Sequence, residues 1–294
     1  MTKVDESDWC DILPSVAQVD FHHFRGFSMN FSFLKSLMLV AFAVSLGLCN
    51  ATQKAVAAVQ SPINITSYNT LYDPLLPSLN FSYSSSTTLD VHNTGSPDVE
   101  ATIKAFVGAG AGSISVNGTT YDLLQLHFHT EAEHLVNGVR GAMEVHFVHK
   151  SLANEFLVVG QIIDVGAFNS SYAPIFSDLP VNNGDTRSVS NFSLAALLPS
   201  TLTSFRYEGS LTTAPYTTGI KWNVLTTNTT MSQSQIDAFR ALFPDGDSRE
   251  EQEFHGWIRT DLDAFSAVPE PTSMAIFGLG TLGLAFRTRR RAMV

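Results

Sequence analysis

Between Gln125 and His149 the chain alternates polar and apolar residues twice, in a way that only neighbouring β-strands can use. Gln125, His127 and His129 interleave with Leu126 and Phe128; His146 follows His129 after sixteen intervening residues, and Glu144 and His146 interleave with Val145 and Phe147. On a strand this period of two sends the imidazoles to one face and the apolar side chains to the other. Two such strands side by side would aim three imidazoles at one point. Three neutral histidines with an open fourth position form a catalytic zinc site rather than a structural one. A single histidine on a strand is usually a packing or surface residue. Here a His-x-His pair is joined by a third histidine, and acceptors lie two positions before His127 and His146. Gln125 and Glu144 can take the second ring N–H that metal-bound histidines donate, whereas a core built only for packing has no use for such a polar layer. His149, three positions after His146, faces away and is not expected to be a ligand.

The surrounding blocks extend the pattern. QSPINI occupies 60–65, QLHFHTEAEH 125–134, GAMEVHFVH 141–149 and YEGSLTTAP 207–215, with Trp222 beyond. In this order, over residues from about 60 to about 260, the chain resembles the α-class carbonic anhydrases. The resemblance implies a mostly β fold with a few short helices: a large twisted, mainly antiparallel sheet with zinc at the base of a conical cleft. It implies Zn2+ on His127, His129 and His146, with Gln125 and Glu144 behind them. The implied reaction is reversible hydration of CO2 to bicarbonate by attack of zinc-bound hydroxide, since zinc on neutral imidazoles lowers the pKa of its water to about 7. Thr212 and Glu133 would form a hydrogen-bonded pair beside the nucleophile. If Glu133 takes the threonine's one proton, Thr212 must accept from the hydroxide and so orient it. Val148, Val158, Leu211, Ile220 and Trp222, with Thr213, would form the substrate pocket, although Val and Leu are by default plain core.

The chain also departs from that family. The usual proton-shuttling histidine is replaced in Asn93-Thr94-Gly95-Ser96, leaving His92 as a candidate substitute against the plainer reading of a surface histidine. An aromatic-rich stretch before QSPINI is missing. Tyr216 stands where bacterial members often have a cysteine, and Ala214 replaces a proline. An alternative reading is therefore a non-enzymatic surface or matrix module that retains the fold; zinc-dependent ester hydrolysis would be a side activity of the same site.

The ends of the chain read as addresses. Residues 29–57 hold a short basic region, the apolar run LMLVAFAVSLGL and small residues near Ala55-Val56-Ala57, the pattern of a secretory signal. Residues 1–28 precede that signal and are not expected in the mature protein. At the other end, 267–294 carries Val268-Pro269-Glu270-Pro271, the apolar run 274–286 and then Arg287, Arg289, Arg290 and Arg291. This tail resembles the PEP-CTERM sorting signal. That implies an exosortase-type partner, a transient stay in the inner membrane through the C-terminal helix, and export through the periplasm to the cell surface or extracellular matrix of a Gram-negative bacterium. The apolar run is shorter than the roughly 20 residues of a stable span, and its arginines would stay cytoplasmic.

What remains, 58–266, is long enough for one domain with a substantial core. The net charge of −10 and the lack of a basic patch exclude a nucleic-acid partner. Both cysteines, Cys10 and Cys49, precede the domain. Strand chemistry marks 101–107, 121–129, 142–149, 155–163 and 219–225. Polar stretches at 92–97, 108–113 and 181–190 read as loops. One helix is expected from Ser232 or Ser234 to Leu242, stopped by Pro244.

Overall fold

The computed structural model describes residues 59–95 and 101–265. The expected secretory signal, residues 1–28, Ser96 and the sorting tail lie outside the described residues.

Sixteen strands follow one another among the described residues. The first eight are β1 Asn64–Ile65, β2 Thr70–Tyr72, β3 Asn80–Tyr83, β4 Thr87–Asn93, β5 Ile103–Val107, β6 Gly112–Val116, β7 Thr119–His129 and β8 Leu135–Val136. Then come β9 Val139–Arg140, β10 Met143–Ser151, β11 Phe156–Val165, β12 Thr186–Phe192, β13 Ser204–Ser210, β14 Thr218–Leu225, β15 Thr229–Met231 and β16 Ile258–Thr260. Thirteen form one large sheet whose main path runs β12-β4-β5-β7-β10-β11-β14-β13-β16-β2. Most pairs are antiparallel; β14 and β15 run parallel to β11, and β2 parallel to β16. This is the mainly antiparallel sheet expected, with a mixed stretch beyond β11.

β10 lies near the middle and is buried on both sides, as a central strand covered on both faces must be. Val145 and Phe147 enter the larger core with Leu126 and Phe128 of β7, while Val148 joins a second core with Val158 and Trp222. His146 shares the face of Val148, so the histidines lie on the second-core side.

All three expected loops are partly strands; within 92–97, His92 and Asn93 end β4. Within 108–113, Gly112 begins β6, where only Gly112 and Ile114 are buried. Within 181–190, Thr186 begins β12, where only Val189 and Phe192 are buried. Both strands present small polar residues to solvent, so their composition resembles a loop although their backbone is paired. The expected helix is α2, Gln233–Arg240. Ser232, not Ser234, caps it: its hydroxyl accepts from the Gln235 N–H, and Gln235 closes a capping box. A shorter helix, α1 Ala173–Phe176, was not foreseen; it packs Phe176 edge-on to Phe128, with ring centroids 4.9 Å apart.

Candidate metal centre

Strand register builds the site. In the β7·β10 ladder His146 lies opposite His127, and Glu144 opposite His129. The row continues across the sheet: His92 opposes Lys104, Lys104 opposes His127, and Gly160 opposes His146. His127, His129 and His146 are all buried, and their ring centroids lie 5.0, 5.1 and 4.7 Å apart.

Each ring turns one nitrogen outward to an acceptor. His127 Nδ1 meets Gln125 Oε1 at 2.9 Å, His129 Nδ1 the Asp247 carbonyl at 3.3 Å, and His146 Nε2 Glu144 Oε1 at 3.0 Å. One nitrogen from each ring lies within 4.8 Å of the other two, and His146 Nδ1 and His127 Nε2 are 3.3 Å apart. A neutral imidazole carries one proton, and the outer acceptors claim it. Three inner ring nitrogens then converge, an arrangement that a cation between them would resolve. Burial lowers the His146 pKa to about 4, against the pull of Glu144, so the ring is neutral and fit to ligate at pH 7. The donor set therefore fits zinc.

Glu144 anchors the back of the site. Its Oε2 accepts the backbone N–H groups of Glu133 and His134, and its Oε1 also meets His134 Nδ1 at 2.8 Å. Burial works to raise this carboxyl, but the charge and hydrogen bonds of His134 and His146 outweigh it and hold the pKa well below the usual range. His134, Glu144 and His146 are close enough to hold an ion themselves. With both carboxylate oxygens already committed, they act as a relay rather than a second ligand set. The relay continues from His134 Nε2 to the Tyr207 hydroxyl at 2.7 Å, and from there to Ser61 Oγ at 2.9 Å. QSPINI and YEGSLTTAP thus meet: Ser61 and Ser210 exchange backbone-to-hydroxyl bonds at 3.0 and 3.1 Å.

The expected Thr212–Glu133 hydrogen bond is not formed. Glu133 is buried and Thr212 nearly so, but Glu133 Oε1 accepts instead from the Arg249 backbone N–H at 2.8 Å. Glu133 Oε2 lies 3.7 Å from His129 Nε2 and 3.8 Å from His146 Nδ1, without a hydrogen-bond partner. Thr212 does reach the site, lining a pocket of about 280 Å³ over His127 and His146.

Val148, Val158, Leu211, Thr213 and Trp222 line the same pocket. Ile220 does not; it shares the strand face of Trp222 but is packed into the second core. The outer wall was not anticipated from the sequence: Lys104, Phe106, Leu124 and Phe156 stand there. Lys104 and Phe106 belong to a recognised strand, but nothing in the sequence says that β5 pairs with β7. His92 lies behind that wall, edge-on to Phe106 at 5.1 Å and 2.8 Å from Asp90. His149 is turned to the larger core, where its Nε2 meets the Tyr83 hydroxyl at 2.7 Å.

A family model described as eukaryotic-type carbonic anhydrase matches residues 49–262, most of the chain. The chain belongs to that family. By family it is an enzyme, a carbonic anhydrase, with CO2 hydration as its general activity. Among curated carbonic anhydrases, that of Neisseria gonorrhoeae is 35% identical over 180 residues, covering 61% of this chain and 68% of its own. That of Pectobacterium atrosepticum is 32% identical, covering 68% and 78%. A solved α-carbonic anhydrase from Thermovibrio ammonificans, in complex with the inhibitor sulfanilamide, aligns with a TM-score of 0.64 at 30% identity, covering 70% of this chain and 88% of that one. A PEP-CTERM protein-sorting motif matches residues 267–291, which marks this carbonic anhydrase for exosortase-type sorting to the cell surface. No helix among the described residues is long and apolar enough to cross a membrane.

Proposed function

We propose that the chain hydrates CO2 reversibly at a Zn2+ ion held by His127 Nε2, His129 Nε2 and His146 Nδ1. The observation that carries this reading is the convergence of three inward ring nitrogens beneath an apolar pocket. Zinc there supplies the Lewis acidity that makes water a nucleophile near pH 7. The protein does the rest. Gln125, the Asp247 carbonyl and Glu144 fix each imidazole's tautomer and direction. Val148, Val158, Leu211 and Trp222 offer CO2 a dry wall without a charge. The Thr212 hydroxyl orients the attacking oxygen. For that the hydroxyl must turn to donate to Glu133 Oε2, a buried carboxylate oxygen to which it is not bonded in the structure and which has no donor there. His92 carries the released proton outward: it stands two strands from His127 in the same cross-strand row, and an imidazole can both accept and donate a proton.

In the same reading residues 29–57 are a secretory signal, 58–266 the mature enzyme and 267–294 a tail removed on sorting. The apolar run 274–286 would hold the inner membrane only in transit, between periplasm and cell surface or matrix.

One set of measurements tests the assignment: zinc content and CO2 hydration of the wild type, His129→Ala and His92→Ala, at low and high imidazole buffer. His129→Ala is expected to lose both zinc and activity. His92→Ala is expected to retain zinc and to lose turnover at low buffer only. Full activity in His129→Ala overturns the metal site, and a buffer-independent wild type unaffected by His92→Ala overturns the proton route.

A further inference from the structure

A second cleft among the described residues, about 420 Å³, is larger than the one above the histidines and is lined by residues of β13, β14 and β16. Strand alternation places it on the opposite face. Tyr207 and Trp222 pair with one another on the metal side, whereas Arg206 pairs with Asn223 and with Arg259, and Glu208 with Lys221. These five side chains therefore face away from the metal centre, and all five line the cleft. At its rim stands Trp257, 63% exposed, in the turn before β16.

The exposed indole offers an apolar face beside a charged cleft, and the charges indicate what kind of ligand would use both. Every cation of the lining is already paired. Lys221 Nζ lies 2.9 Å from Glu155, Arg259 2.8 Å from Asp73, and Arg206 3.7 Å from Asp261. Arg206 is further tied by bonds from its guanidinium to Ser204 Oγ and the Pro77 carbonyl. Three cations and three carboxylates cancel, and the Glu208 carboxylate, which has no side-chain partner among the described residues, leaves the cleft slightly negative. An anion gains nothing there. A ligand that offers hydroxyls to Glu208 and Asn223 and a flat C–H face to Trp257 gains on both counts, because an indole combines an apolar face with a polar edge. The cleft volume falls in the range of small-ligand sites.

We propose that this cleft binds a neutral saccharide, one or two rings of a longer chain, with Trp257 as the platform and Glu208 and Asn223 as the hydroxyl-reading groups. The cleft shares Tyr207 and Trp222 with the metal side of the sheet, but the three residues proposed to hold the sugar are none of those placed in the catalytic centre.

Native gels cast with dextran, laminarin or starch test it, with alginate as the polyanionic control. The protein should be retarded by at least one neutral gel. Trp257→Ala should reduce that retardation about tenfold or more, and Glu208→Gln should weaken it, both with CO2 hydration unchanged as proof of folding. Absence of retardation in all three neutral gels overturns the proposal. So does retardation by alginate alone, or retardation in a neutral gel that Trp257→Ala leaves intact.

Discussion

At the scale of single residues, the proposed site separates those that would hold the metal from those that would steer the nucleophile. Among the described residues the Gln125 side chain hydrogen-bonds only to His127, at 2.9 Å, so Gln125→Ala should leave the fold intact and weaken zinc binding by about 10–100-fold. Thr212→Ala removes a pocket hydroxyl that touches no ligand histidine, so zinc should stay while turnover falls. Zinc competition against a chelator, read beside kcat, checks both; equal metal loss in the two variants would mean that the roles are misassigned. Glu144 is a poorer probe than its place two before His146 suggested, because it also holds two backbone N–H groups and His134. The ligands, Gln125 and Glu144 were legible because strand period alone places them. The third outer acceptor was not, since the Asp247 carbonyl reaches His129 from 118 residues away. The Thr212–Glu133 bond was read from resemblance, and the described geometry gives the Glu133 carboxylate to Arg249 instead.

At the scale of the element, β11 carries a glycine for a reason that only register reveals. Gly160 lies opposite His146, and a Cβ there would come within 2.6 Å of Glu144 Oε1. The glycine makes room for the carboxylate that orients His146. Gly160→Ala should therefore act as a metal-site mutation at a distance, lowering zinc affinity about tenfold or more through the displaced carboxylate, with the sheet retained. Chelator competition beside a circular dichroism spectrum checks this, and unchanged affinity would show that Glu144 can shift without consequence. From the sequence Gly160 is merely a small residue in an apolar run. The central strands were legible because burial on both faces leaves long apolar runs. β6 and β12 were not, since each buries two residues and dresses the rest as a loop. Strand order was not legible at all: the cleft wall from β5 depends on which strand pairs with β7.

At the scale of the whole molecule, the larger core contains a proton acceptor that folding keeps empty. His149 is fully buried, with Nδ1 donating to the Leu157 carbonyl at 3.2 Å and Nε2 at the Tyr83 hydroxyl. Burial lowers its pKa to about 4, with backbone hydrogen bonds to Leu157 and Phe147 pulling partly the other way. In the unfolded chain the same ring titrates near its ordinary value of about 6.5. Between these two values the unfolded state binds the proton and the folded state does not, so stability must fall as pH drops through this window. A shift of this size corresponds to about 3 kcal/mol, lost progressively from about pH 6.5 down to about pH 4, with no further contribution from this ring above or below. His146 has the same sign, so one comparison is needed to isolate His149. Urea unfolding at several pH values should show a steep decline for the wild type and a shallower one for His149→Leu. The variant will be less stable at pH 7, because Tyr83 loses its partner; the slope, not the absolute stability, is the readout. Equal slopes would mean that the His149 ring gains its proton in the folded protein as easily as in the unfolded chain, and that the larger core is wetter around Tyr83 than its packing shows.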